Sequence, residues 1–180
     1  MNDVTHNAPG HGSPLRHFRL VCLGVFVACA GMLAFAIFHL QGRLYLDPCP
    51  MCVLQRYAFF LVGVVALIAA IHNPDFRGRR VYGGFLGFFS LLGGGVAANH
   101  TWVQYFPPES AGCAAGDLHY LVNTFSLAQA LPKIFAGSGE CSEVKWRFLL
   151  LSIPEWALVW FVAFFLLGAF AMLKPGWFRR

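Results

Sequence analysis

Charge is what this chain has least of. Asp, Glu, Lys and Arg together supply 12% of its 180 residues, against 58% hydrophobic residues and a mean hydropathy of +0.61. Ordinary soluble domains carry about 25% charged residues, so that class is excluded and the membrane class is indicated. The cysteines show two further absences. No second closely spaced pair accompanies Cys49-Pro-Met-Cys52. The usual zinc pattern is therefore missing, and no metal is expected. Val53 follows Cys52 where a haem-attachment motif would have His. The net charge of +5 does not point to nucleic acid, because the basic residues fall in short clusters beside apolar runs. Membrane topology is encoded in that way.

Nineteen phenylalanines and four long apolar runs are what the chain does have. The expected fold is an all-α integral membrane protein, a bundle of four transmembrane helices with one long loop between the third and fourth. Residues 1 to 15 read as a polar, disordered tail, with His6 and His11 solvated there. The membrane domain then occupies residues 16 to 180. The first span, about 20 to 38, has nineteen uncharged residues, a reach of about 28 Å at 1.5 Å per residue. Ala28-Cys29-Ala30 offers a small-residue cleavage site, but the apolar run continues beyond it, and a retained helix is expected. Cys22 and Cys29 share one face of that helix and are expected simply to pack.

The second span is expected over about 50 to 71, the third over 81 to 103 and the fourth over 154 to 173. Gly83 and Gly87 form a Gly-x-x-x-Gly pair, continued by Gly93 to Gly95, which permits close helix approach in lipid. Trp156 suits an interface anchor. The connection 40 to 49 is short. The connection 105 to 153 is long, carries Cys113 and Cys141, and holds an apolar stretch from Leu118 to Phe135 suited to the membrane surface.

Cys49 and Cys52 open the second span. Pro50 fits the first helical position, which makes Cys49 the N-cap and puts Cys52 in the first turn. The positive end of the helix dipole favours a thiolate there. Arg56 follows one turn deeper on the same face. A snorkelling arginine would account for that position, but an intramembrane charge beside a dithiol is a functional candidate. Asn99, His100 and Gln104 end the third span on the same side and offer either a polar helix end or a pocket facing Arg56.

Arg16, Arg19, Arg77, Arg79, Arg80, Lys174, Arg179 and Arg180 fall on one side of a four-span chain, eight of thirteen basic residues. The positive-inside rule makes that side, with both termini, cytoplasmic. Cys49, Cys52, Cys113 and Cys141 then lie outside, where disulfides persist. They make two natural pairs, Cys49–Cys52 and Cys113–Cys141. A bond across two intervening residues encloses too short a loop to serve as a staple, whereas that spacing suits reversible dithiol chemistry. Exchange between the pairs would need a two-electron acceptor at the membrane face, and a lipid-soluble quinone near Arg56 answers that need.

Taken in order, Pro48-Cys49-Pro-Met-Cys52 with Arg56, Asn99-His100-Thr-Trp-Val-Gln104, and Gly137-Ser-Gly-Glu-Cys141 with Trp146 and Phe148 resemble the disulfide bond formation protein B (DsbB) family. The resemblance covers about Leu20 to Leu173, with Cys113 between the last two motifs. It implies a bacterial inner-membrane enzyme whose periplasmic loops are 40–49 and 105–153. It implies reoxidation of a periplasmic DsbA-like, thioredoxin-fold dithiol oxidase, with electrons passed to ubiquinone or menaquinone. Cys113 would form the mixed disulfide with the partner, Cys141 would then engage Cys49, and Cys52 would be left as a thiolate against the quinone. Arg56, His100 and Gln104 would border the quinone. Two alternatives are a vitamin K epoxide reductase-like enzyme, whose pair would sit late in the bundle, and a non-enzymatic scaffold stapled by permanent disulfides.

Overall fold

The computed structural model describes residues 14–46, 48–107, 135, 139–144 and 146–174. The polar tail through residue 13, Cys113, the apolar stretch 118–134 and the C-terminal arginines lie outside the described residues. Helix α1 spans Pro14–Ala34 and runs on as a π-helical segment, Phe35–Gln41. Helix α2 spans Pro50–His72 and α3 spans Phe76–Tyr105. A short helix α4, Gly139–Ser142, precedes a two-stranded hairpin of β1 (Arg147–Phe148) and β2 (Leu151–Ser152). Helix α5 spans Ile153–Leu173. Among the described residues four helices are long and apolar enough to cross a membrane, as the hydropathy pattern requires. In lipid a spanning segment must satisfy its backbone groups internally, which a helix does.

Each helix boundary has a local cause. Cys49 is the extended N-cap of α2, with Pro50 at its first position. Asn73 closes the same helix in the left-handed conformation, its N–H donating to Ala69 O. Pro74 and the extended Asp75 follow at once, so α3 begins at Phe76, and Arg77, Arg79 and Arg80 ride its first turns. Arg79 is buried there. Its Nε donates to Pro74 O at 3.1 Å, and its guanidinium lies 5.3 Å from the centre of the Phe18 ring. Helix α5 opens with a capping box between Ser152 and Glu155, with Pro154 in its first turn.

The most extensive interface joins α3 to α5, and glycine makes it. A Cβ built at Gly168 would stand 2.7 Å from Gly87 N and 2.8 Å from Gly83 O, so the two backbones are in contact through the Gly83/Gly87 face. Further along, a Cβ at Gly93 would overlap the Phe161 ring and stand 2.8 Å from the Ala58 Cβ of α2. Phe161 stacks on Phe59 with centroids 4.1 Å apart. Helix α1 packs on α2, where Gly63 admits Cys29. Cys22 and Cys29 are buried free thiols in two separate apolar clusters.

Gly168→Ala tests this arrangement, because its clash is with backbone that cannot swing aside. The expected loss is about 1–3 kcal/mol, the usual range for overpacking, read as a lower unfolding midpoint of the purified protein. Ala at Gly24, where open space surrounds the site, should leave the midpoint unchanged.

Candidate functional site

The ends of α1, α2, α3 and α5 that lie nearest the cysteines enclose a cavity of about 660 Å³. Its wall is largely apolar, with Phe35, Leu40, Phe59, Trp146, Trp156 and Trp160 among the contributors. Cys49, Cys52, Gln55, Arg56, His100 and Gln104 belong to its polar edge, with His39 and Glu143. Small-molecule sites commonly occupy about 300–1,000 Å³ and combine apolar walls with a few convergent polar groups. The cavity has that character.

Cys49 Sγ lies 3.1 Å from Cys52 Sγ, with Cys49 buried and Cys52 partly exposed. Cys141 of α4 is buried against Cys49 in one cluster with Met51 and Val103. The Cys49 thiol is held well above the ordinary thiol range. Hydrogen bonding with Cys141 contributes most, then hydrogen bonding with Cys52, then burial. The protonated form of Cys49 is therefore the stable one in the dithiol.

Arg56 is fixed by a residue that sequence reasoning left out. Its Nη1 donates to Gln41 Oε1 at 2.8 Å. Gln41 reaches it because the last turns of α1 are π-helical, with Gly42 N bonded to Ile37 O and Leu44 N to His39 O. A π segment widens the helix and shifts the register of the side chains that follow, and such segments recur at functional sites. Among the described residues no carboxylate pairs with Arg56. Arg56 lines the cavity, as does Glu143, and most of the five guanidinium donors are unused by Gln41.

His100 is buried on α3 with Nε2 3.7 Å from Cys49 Sγ. Its Nδ1 lies 3.1 Å from Gln55 Nε2, and Gln55 is also buried. Gln55 was not singled out in the sequence. The available signal was a polar residue three after Cys52, beside Arg56, on the helix that carries the dithiol. With the Gln55 amide nitrogen donating to Nδ1, the ring proton sits on Nε2, on the side of Cys49, and the ring also hydrogen-bonds the Cys141 backbone. Gln104 also borders the cavity, and its Oε1 accepts from Ser152 Oγ at 2.9 Å. Tyr105 donates to Glu155 at 2.8 Å, and Trp156 Nε1 donates to Phe148 O at 3.0 Å. These bonds tie the end of α3 and the hairpin to the start of α5. Asn99 does not line the cavity. Its Nδ2 donates to Phe135 O at 2.9 Å. Cys113 lies outside the described residues.

The class defined by these features is a four-span helical protein with a dithiol at a helix N-terminus, facing a largely apolar cavity that Arg56 lines. The family model described as "Disulfide bond formation protein DsbB" matches residues 18–171. A "Disulfide bond formation protein B" of Azoarcus sp. (strain BH72) is 50% identical over 155 residues, covering 85% of this chain and 91% of that relative. The protein of that name from Aromatoleum aromaticum is 49% identical over 141 residues, covering 78% of this chain and 84% of its own. That of Hahella chejuensis is 44% identical over 156 residues, covering 86% and 90%. This chain belongs to the DsbB family.

Gln55→Leu tests the link between α2 and α3. It leaves a buried ring nitrogen without its partner, at a cost of about 1–3 kcal/mol. Nitrogen-15 spectra of histidine-labelled protein should show His100 passing from one tautomer to a mixture. An unchanged His100 signal would mean that the cysteines alone orient the ring.

Proposed function

We propose that this protein reoxidises a thioredoxin-fold dithiol oxidase on the outer face of the bacterial inner membrane and passes the two electrons to membrane quinone. The observation that carries this reading is the opening of the Cys49–Cys52 pair onto a largely apolar cavity of about 660 Å³ lined by Arg56, which no carboxylate among the described residues pairs directly. A quinone ring with an isoprenoid tail is apolar in body and has two carbonyl oxygens, which matches an apolar wall with a cation and a few polar groups. Family membership supports the thiol chemistry. The cluster of Arg77, Arg79 and Arg80 at the opposite end of the bundle supports a cytoplasmic placement of that end and a periplasmic placement of the cysteines.

In this reading the partner's thiolate attacks Cys113 of a Cys113–Cys141 disulfide, which forms a mixed disulfide and releases Cys141. The partner's second thiol then resolves the mixed disulfide, so the partner leaves oxidised and both cysteines of the loop are reduced. Cys141 attacks Cys49 of the Cys49–Cys52 disulfide, forming Cys49–Cys141 and freeing Cys52 as a thiolate. The thiol of Cys113 then recloses on Cys141, which returns the loop disulfide and leaves Cys49 and Cys52 reduced. Burial of Cys141 against Cys49 favours this exchange, because the two sulfurs need little movement to react. Cys52 sits at the helix N-terminus facing the cavity, where the dipole and Arg56 stabilise negative charge. Two electrons and two protons leave the dithiol for the quinone, and the Cys49–Cys52 disulfide is restored.

Quinone reduction followed by ultraviolet absorbance, driven by a reduced thioredoxin-fold oxidase, tests the scheme. Cys52→Ser should abolish quinone loss while one round of partner oxidation, through a transient mixed disulfide at Cys113, still leaves the loop cysteines reduced. Normal turnover in that variant would remove Cys52 from the reaction. Arg56→Met should lower kcat/KM for quinone by about 10- to 100-fold, the equivalent of one charge-assisted hydrogen bond of about 1.5–3 kcal/mol. Unchanged kinetics would reduce Arg56 to an interfacial anchor.

A further inference from the structure

The sequence offers two closely spaced thiols and no third ligand beside them, but the fold brings one from another helix. Cys49 Sγ, Cys52 Sγ and a ring nitrogen of His100 all lie within 4.8 Å of one another. A tetrahedral zinc ion has Zn–S of about 2.3 Å and Zn–N of about 2.0–2.1 Å, which sets its S···N separations near ~3.6 Å and S···S near ~3.8 Å. Cys49 Sγ stands 3.7 Å from His100 Nε2 and already meets the first condition. The 3.1 Å between the sulfurs must open by roughly 0.7 Å to meet the second. Cys52, the less buried of the two, has the cavity to move toward.

We propose that the reduced Cys49–Cys52 dithiol and His100 form a redox-gated binding site for a thiophilic divalent cation of the zinc type. Two thiolates and a neutral imidazole cancel the charge of the ion, which is the condition for holding it in a buried place. The fourth position opens on the cavity, which is also the route of entry. Nε2 must present a lone pair to the metal, so Nδ1 must carry the proton and donate it. Rotating the Gln55 amide by half a turn places its carbonyl oxygen at Nδ1, which makes Gln55 the outer partner that metal-bound histidines require. The disulfide form has no thiolates and holds no metal. Binding therefore captures only the reduced protein, displaces two thiol protons and withholds both sulfurs from reoxidation. The ion enters and leaves as a divalent cation, and no electrons are transferred.

The test uses the full chain in detergent or nanodiscs, reduced with a phosphine that does not coordinate the metal. Zinc is titrated against a chromophoric chelator, and cobalt(II) serves as the spectroscopic probe. Reduced protein should bind one equivalent, with sulfur-to-cobalt charge transfer and tetrahedral d–d bands, and the disulfide form should bind none. Cys52→Ser and His100→Ala should each lose more affinity than Gln55→Leu, whose loss should be about 10- to 100-fold. His100→Ala should also change the d–d bands while retaining charge transfer. A Cys22→Ser, Cys29→Ser double variant should bind as the parent does, with unfolding midpoints checking that each variant is folded. No binding by the reduced protein would overturn the proposal. So would an equivalent that survives oxidation or both ligand substitutions, since that would belong to the histidines of the N-terminal tail or another surface. The readout needs no turnover, so its failure and that of the quinone reading are separate results.

Discussion

Phe161 occupies the space that a side chain at residue 93 would need, and much of the bundle depends on that exchange of volume. Lipid tails are as apolar as leucine, so the helices gain little by hiding hydrophobic surface from them, and shape must hold them together. At Gly93 three helices meet: Phe161 comes from α5, Ala58 from α2, and Phe59 stacks on the Phe161 ring. Gly83, Gly87 and Gly168 continue the contact toward the other end. The rotation of α3 about its own axis is thereby set, and with it the direction in which residues two turns further along project.

His100 is one of those residues. Seven positions beyond Gly93, about 10 Å along the helix, it points at Cys49 and Gln55 and not at lipid. The dithiol itself is placed by a local event, the start of α2 at Cys49-Pro50. One side of the site therefore comes from a helix start and the other from a packed glycine. The cavity follows as the space left between these two and the π-helical end of α1, with Trp156 and Trp160 of α5 closing it. The hairpin is held to the same place by the Trp156 bond to Phe148 and by the ties among Gln104, Ser152, Tyr105 and Glu155.

Arg56 shows how one residue is read differently at the two levels. In the sequence it is a cation one turn below a dithiol, and snorkelling toward water would explain it. In the fold its guanidinium is gripped by Gln41 at the wall of a cavity, and no carboxylate among the described residues pairs with it directly. Gln41 falls within the short connection read over residues 40 to 49, beyond the apolar run of α1. The π-helical turns that carry it onward involve a change of hydrogen-bond register that hydropathy does not record. The basic cluster near residue 80 behaves similarly. Arg79 counts as one charge in a topology rule, yet it is buried between Pro74 and the Phe18 ring.

The sequence by itself determined the four spans, the N-cap position of Cys49 and the small-residue face at Gly83 and Gly87. Each of these depends on residues adjacent in the chain or on one helix face, through hydropathy, helix-start chemistry and side-chain size. Tertiary structure alone decided that His100, 51 residues from Cys49, stands within reach of its sulfur, and that Gln55, 45 residues from His100, holds the ring. It also decided that Gln41 meets Arg56. Those contacts depend on how each helix is rotated and crossed against its neighbours. Steric fit at Gly93 and Gly168 helps to set those angles, and no periodicity within a single helix contains them.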